Sequence, residues 1–355
     1  MSEKDIPEFS GYNTVLAREN SSAVKPRKKA VYLPLVDMSP AEPSMMLTAM
    51  KEAQRMTSIT GQEYTIFTND QQLYKIVVGI TWVYENQFLK FIPRFGGMHT
   101  MMSFVGAIGT IMAESGLKDI MESSFGGVSK MLIGKKFPQN VRALRIIAEE
   151  LLRSVFEENV IKSHADLLKV LELKACMSRT SKLWIGILIK PVFLMMNFVR
   201  AEREGDWPLH LYATQEFMPY LFAAGHFNYA RYCLYYLISM AKLPKNVLKI
   251  FMEGNHVMRH QLGLWNGIWS DMYIESTFMW YGHGPGGIIG ITLKPSTLKR
   301  WAYGFHLRFQ IKSDVVSLVD GNTDKVVDKH KEEGKSRIKA DGSDRKNIHQ
   351  KLSVC

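Results

Sequence analysis

Cysteine is nearly missing from this chain. Three residues, Cys176, Cys233 and Cys355, are spread over 355 positions. Their spacing excludes both a disulfide framework and a zinc knuckle, and it fits a reducing compartment. Long apolar runs are missing as well. The most lipid-like stretch, Leu183–Val199, is broken by Lys190 and Pro191, and the first residues are polar and acidic, unlike a secretion signal. The expectation is therefore a soluble, nuclear or cytoplasmic protein with no membrane partner. No internal repeat is seen, and the glycine-rich Gly282–Gly290 lacks the Gly-Lys-Ser/Thr ending of a phosphate loop, which leaves it as a mobile connector.

What is present is globular. Hydrophobic residues make up 46% of the chain and aromatics 11%, enough to build a core. The formal charge of +11 points weakly to polyanions, because Lys and Arg are scattered. One basic cluster, Lys25-Pro-Arg-Lys-Lys29, reads either as a nuclear-import signal or as a solvated loop.

The stretch from Glu63 to Gly116 carries the clearest pattern. An apolar, β-branched run ends at Asn69-Asp70, and helical spacing begins at Gln71. A second apolar run, Phe88–Phe95, ends at Gly96-Gly97-Met98-His99, and helical spacing resumes. With a strand expected at Val31–Asp37 and a helix over Met45–Met56, the alternation predicts a parallel α/β sheet with helical crossovers. The pattern then changes to helices. Asn140–Ile161 places Val141, Leu144, Ile147, Ala148, Leu151, Leu152, Val155 and Phe156 on one face, and Leu167–Leu173, Leu183–Glu202, Gln215–Ala224 and Phe227–Ala241 follow. A further helix is expected from about Gly263 to Tyr281. From Lys312 onward, mixed charge with few aromatics predicts an exposed helix or a flexible tail.

Two constellations could carry chemistry. Asp70 and His99 stand at the ends of consecutive strands, the edge at which α/β sheets collect catalytic groups. Such a pair can hold a divalent metal, but an aspartate there also serves as the N-cap of the helix from Gln71, and His99 can hydrogen-bond at the Gly96-Gly97 turn. Asp271 and Glu275 would lie one helical turn apart, a like-charge pair that needs compensation from Arg259, His260 or a metal, in a setting rich in Trp265, Trp269 and Phe278. His256 and His260 have helical spacing but lack the Glu of a zinc-protease motif. The aromatic run Phe227–Tyr236 could stack on single-stranded nucleic acid or pack as a core helix.

Four motifs, Asn69-Asp-Gln-Gln-Leu-Tyr74, Arg94–Gly106, Arg200-Ala-Glu-Arg-Glu-Gly-Asp-Trp207 and Trp265–Glu275, resemble an uncharacterised, multicopy family derived from mobile elements. The order of elements also resembles the ribonuclease-H-like core of Mutator-type and hAT-type transposases. That resemblance implies an incomplete ribonuclease-H-like sheet with a large all-helical insertion. It divides the chain into a basic segment 1–30, an α/β half 31–116, a helical insertion 117–258, an acidic helix and connector 259–311, and a charged tail 312–355. It maps Asp70, His99 and Glu275 onto catalytic positions, with Asp70, Glu275 and Asp271 as ligands of Mg²⁺ or Mn²⁺, and implies no small-molecule cofactor. Two departures matter: Gly96 stands where the pattern has Cys or Asp, and the first-strand aspartate has no counterpart, Asp37 being a doubtful substitute. Two-metal phosphoryl transfer without that aspartate should fail. The expectation is a degenerate, catalytically inactive DDE-type protein with residual DNA binding, self-associating through an incomplete sheet. The competing expectation is a helical nucleic-acid- or protein-binding scaffold.

Overall fold

The computed structural model describes residues 28, 38–259, 265–279, 294–320 and 334–352. The expected strand Val31–Asp37, most of the basic cluster, His260, the Gly282–Gly290 connector and the Phe278 side chain lie outside them. The protein is mostly helical, with a small parallel sheet, so the α/β class with helical bulk holds.

The chain forms two compact units. One contains everything described up to Thr100 and resumes at Ser239. It opens with α1 (Pro43–Ile59), started by Pro43 in its first turn, followed by β1 (Thr65–Asn69), α2 (Gln71–Val83) and β2 (Phe91–Phe95). Strands β1 and β2 are parallel, in register from Thr65 opposite Phe91 to Asn69 opposite Phe95. A parallel pair needs a crossover, and α2 supplies it. The core between these helices and the sheet is Met46, Met50, Val77, Ile80, Phe88 and Phe91. Phe67 packs on Phe91 and Tyr74 on Phe95, with ring centres 5.3 and 5.0 Å apart. After β2, α3 (Gly97–Ile111) begins in this unit and runs into the other.

The second unit is helical. It continues through α4 (Leu117–Glu122), α5 (Val128–Leu132), α6 (Phe137–Glu158), α7 (His164–Met177), α8 (Arg179–Glu204), α9 (Trp207–Ala223) and most of α10 (Phe227–Ala241). Local chemistry starts several of these helices: Ser163, Ser178 and Asp206 each accept a hydrogen bond from the backbone N–H three residues on. Helix α8 is the one described helix long and apolar enough to cross a membrane by length and composition. Its Leu188, Ile189, Val192, Met195 and Met196 are buried among other helices. A π-helical turn, Trp184–Ile189, immediately precedes Pro191. That widened turn accommodates a proline that cannot donate to the helical ladder.

The last elements belong to different units. Helix α11 (Lys245–Ile250), α12 (Ser270–Ile274, extended by a π turn to Met279) and α13 (Pro295–Asp320) lie in the sheet-containing unit, and α14 (Lys335–Leu352) lies in the helical one. One expectation changes here. The helix expected from Gly263 starts only at Ser270, because Ile268 pairs with Met258 in an antiparallel bridge and Trp265 has a φ of 57°. Within the tail expected to be an exposed helix or flexible, residues 335–352 form α14, a helix exposed over most of its length that docks on α6 and α4 and buries Asp341 and Ile348. The aromatic run in α10 buries one face, with Ala230, Cys233 and Tyr236 inside, while Phe227 is exposed and Tyr229, Tyr232 and Tyr235 are part-buried. Burial pushes the Cys233 thiol up to about 12, leaving it inert.

Candidate acid–histidine site

Asp70 follows β1 directly and caps α2: its Oδ1 accepts the Leu73 N–H at 2.9 Å. His99 sits in the first turn of α3, just past the carboxyl end of β2. The two are held at one sheet edge because their strands pair in parallel with nearly equal ends.

Asp271 arrives at the same edge on α12, which packs against β1. Its carboxylate is 7% exposed and satisfies the start of α3. Oδ1 accepts the Met98 N–H at 3.3 Å, and Oδ2 accepts the His99 N–H at 3.1 Å. The His99 Nδ1 lies 3.0 Å from the same Oδ2. Asp271 is thus an N-cap supplied from 172 residues away in sequence.

The glycine pair before His99 now has a physical reason. A Cβ on Gly96 would lie 2.6 Å from Asp271 Oδ2 and 2.9 Å from the Asn69 carbonyl oxygen. On Gly97 it would lie 2.0 Å from Trp269 Cδ1. Only glycine admits the Trp269–Asp271 segment this close.

The charge on Asp271 is compensated by His99 and by the end of α3. The hydrogen bond to Asp271 raises the His99 pKa above its usual 6.5; burial opposes the shift, and the charges of Asp271, Asp70 and Glu275 reinforce it. Glu275 is exposed and acts on His99 through its charge. All four sequence-derived residues therefore share one electrostatic neighbourhood. Arg259, considered above as a compensating cation, donates to the Gly254 carbonyl at 2.7 Å. His256, buried, has its Nδ1 3.2 Å from the Phe251 carbonyl oxygen.

The implied Mg²⁺ or Mn²⁺ pair can be tested against these donors. An ionised carboxylate offers about four lone-pair positions. Asp271 spends three of them on N–H groups, and Asp70 gives one oxygen to its cap. Asp271 is therefore a poor candidate for the carboxylate that would bridge the ions of a two-metal centre.

Sequence reasoning assigned no role to Glu202 and His210, although both lie in or just beyond the Arg200–Trp207 motif. In the helical unit, His210 Nδ1 is 2.5 Å from Glu202 Oε1 and its Nε2 is 3.1 Å from the Tyr236 hydroxyl. The Trp207 ring stacks on the imidazole, 5.1 Å between centres and 11° between planes. Such a buried network orients α8, α9 and α10. The signal for it was a Glu and a His eight positions apart across Gly205-Asp206, a helix stop followed by an N-cap.

Fold and site together define an α/β protein with helical bulk and an acid–histidine cluster at the carboxyl end of its parallel strands. The chain belongs to a family described as a domain of unknown function (DUF8702), whose model matches residues 8–174 and 158–354. Neither the curated proteins nor the solved structures contain a match to it.

Proposed function

We propose that this chain is a transposase-like protein of mobile-element origin, with a degenerate ribonuclease-H-like core that binds nucleic acid without cleaving it. One observation carries the reading. Asp70 and His99 follow the carboxyl ends of the paired strands, the charges of Asp70 and Glu275 act on His99, and Asp271 is hydrogen-bonded to it, yet Asp271 serves α3 and His99. The His99 imidazole, its pKa raised chiefly by the hydrogen bond to Asp271, shares with the α3 N–H groups the site a metal would otherwise occupy. An incomplete sheet also favours self-association, and the proposed setting is nuclear or cytoplasmic.

The test is nicking of supercoiled plasmid in Mg²⁺ or Mn²⁺, with Asp70→Ala and Glu275→Ala as controls. The expected result is no cleavage by the wild type above the two variants, and no tight ion binding by calorimetry. Robust wild-type cleavage that both substitutions abolish would overturn the inactive reading.

The formal charge of +11 favours a second reading, a scaffold without a vestigial site. Binding to DNA that weakens steeply with salt supports phosphate tracking, and salt-insensitive or absent binding favours a protein partner.

A further inference from the structure

Helix α14 is an unusual helix to find docked. Its sequence, Lys335-Ser-Arg-Ile-Lys-Ala-Asp-Gly-Ser-Asp-Arg-Lys-Asn-Ile-His-Gln-Lys-Leu352, has the weak run Asp-Gly-Ser-Asp at its centre and an excess of like positive charge along its length. A segment of this length and composition does not hold a helix in water by itself. Its apolar anchor is small, with Ile348 fully buried and Ile338 half-exposed. Docking is carried by charge. Arg142 on α6 donates to Asp341 Oδ1 at 2.7 Å and also pairs with Asp344, while Arg145 donates to Asp341 Oδ2 at 2.9 Å. Farther along, Arg345 donates to Glu149 at 3.0 Å, and His349 Nδ1 lies 2.8 Å from Glu150. Ser124 adds a hydrogen bond to the Asp344 carbonyl oxygen at 3.2 Å.

We propose that α14 is a strap that folds only when docked. Its Asp341 and Asp344 hold on Arg142 and Arg145 the places that phosphate oxygens of a nucleic-acid backbone take when the strap is off. Forked guanidinium groups bind carboxylate and phosphate oxygens by the same geometry, so the two compete. The competitor rests on the nucleic-acid reading above, whereas the folding behaviour of the strap does not.

Two substitutions push the strap in opposite directions. Asp341→Asn with Asp344→Asn removes its charge, and Gly342→Ala strengthens its helix, since a Cβ there meets nothing within 4 Å. Amide hydrogen exchange on the full chain reads the strap. In the double variant, protection over Lys335–Leu352 should fall at least about tenfold while α6 keeps its own. Exchange of α14 that stays locked to that of α6 overturns the strap. Fluorescence anisotropy with a labelled 20-base-pair DNA duplex reads the competitor: Kd should fall about tenfold in the double variant and rise about fourfold in Gly342→Ala. Equal Kd in all three proteins overturns the phosphate competition, and so does an absence of binding by all three. In that last case the nucleic-acid reading fails with it, while the exchange result still decides the strap.

Discussion

Asp271 and Asp341 are buried alike, 7% and 6% exposed, but their charges are satisfied by different chemistry. Asp271 is held by two backbone N–H groups and an imidazole. Asp341 is held by two guanidinium groups at the ends of flexible stems. Backbone donors cannot follow a carboxylate that moves, whereas arginines can exchange it for another anion. The first arrangement makes a fixed joint and the second a detachable one.

The sharpest way to break this comparison is Asp271→Ala. It orphans the start of α3 and His99 in a buried setting, and should cost the sheet-containing unit about 3–5 kcal/mol. Urea unfolding followed by tryptophan fluorescence reads it, and a loss below about 1 kcal/mol would mean that solvent replaces the carboxylate freely. Next comes Gly97→Ala, whose Cβ meets Trp269 at 2.0 Å. Overpacking of this kind should cost about 2–3 kcal/mol in the same transition. Asp341→Ala should cost only about 1–2 kcal/mol despite equal burial, because α14 can undock instead of leaving Arg145 buried against a void. A global loss as large as that for Asp271→Ala would erase the distinction. Smaller again, Asp70→Ala should cost about 1 kcal/mol through the lost cap on α2, and Asp70→Asn should recover most of it.

Two histidines extend the comparison to pH. The folded pKa of His99 is raised, chiefly by Asp271, so its stabilisation is full below 6.5 and is lost as pH rises through the raised value. Burial lowers the His226 pKa, with a hydrogen bond to Ser103 in partial opposition. Its neutral form is the one the fold favours, so its stabilisation is present above 6.5 and is lost as pH falls. Following each unit separately between about pH 5 and pH 8 should give opposite trends, and His99→Gln should flatten the one from the sheet-containing unit. Parallel trends in both units would contradict these environments.

Much of this was legible from residue order. The strand–helix–strand–helix unit from Glu63 to Gly116 rests on local periodicity, and the Asp70 cap on a spacing of three residues, so both could be read directly. The role of Asp271 could not, because its hydrogen bonds to α3 span 172 positions. The late start of α12 follows from the pairing of Ile268 with Met258, another non-local event. Helix α6 showed its apolar face in the sequence, but the burial of Arg145, Glu149, Glu150 and Arg153 on the same helix came from outside it. The exposed helix α14 was among the readings of the charged tail, but its docking through Asp341 and Ile348 was not, because their partners lie about 200 positions away.

By itself the sequence determined the helical bulk, the βα alternation and the Asp70 cap, and it singled out Asp70, His99, Asp271 and Glu275 without placing them together. Tertiary structure alone decided what those four do together. It turned Asp271 from a candidate metal ligand into the cap of a distant helix, and made Gly96 and Gly97 the clearance for it. It also made a charged tail a docked helix. The reason is common to all three: the partners that satisfy a buried charge are chosen by where the chain returns in space, and residue order does not encode that return locally.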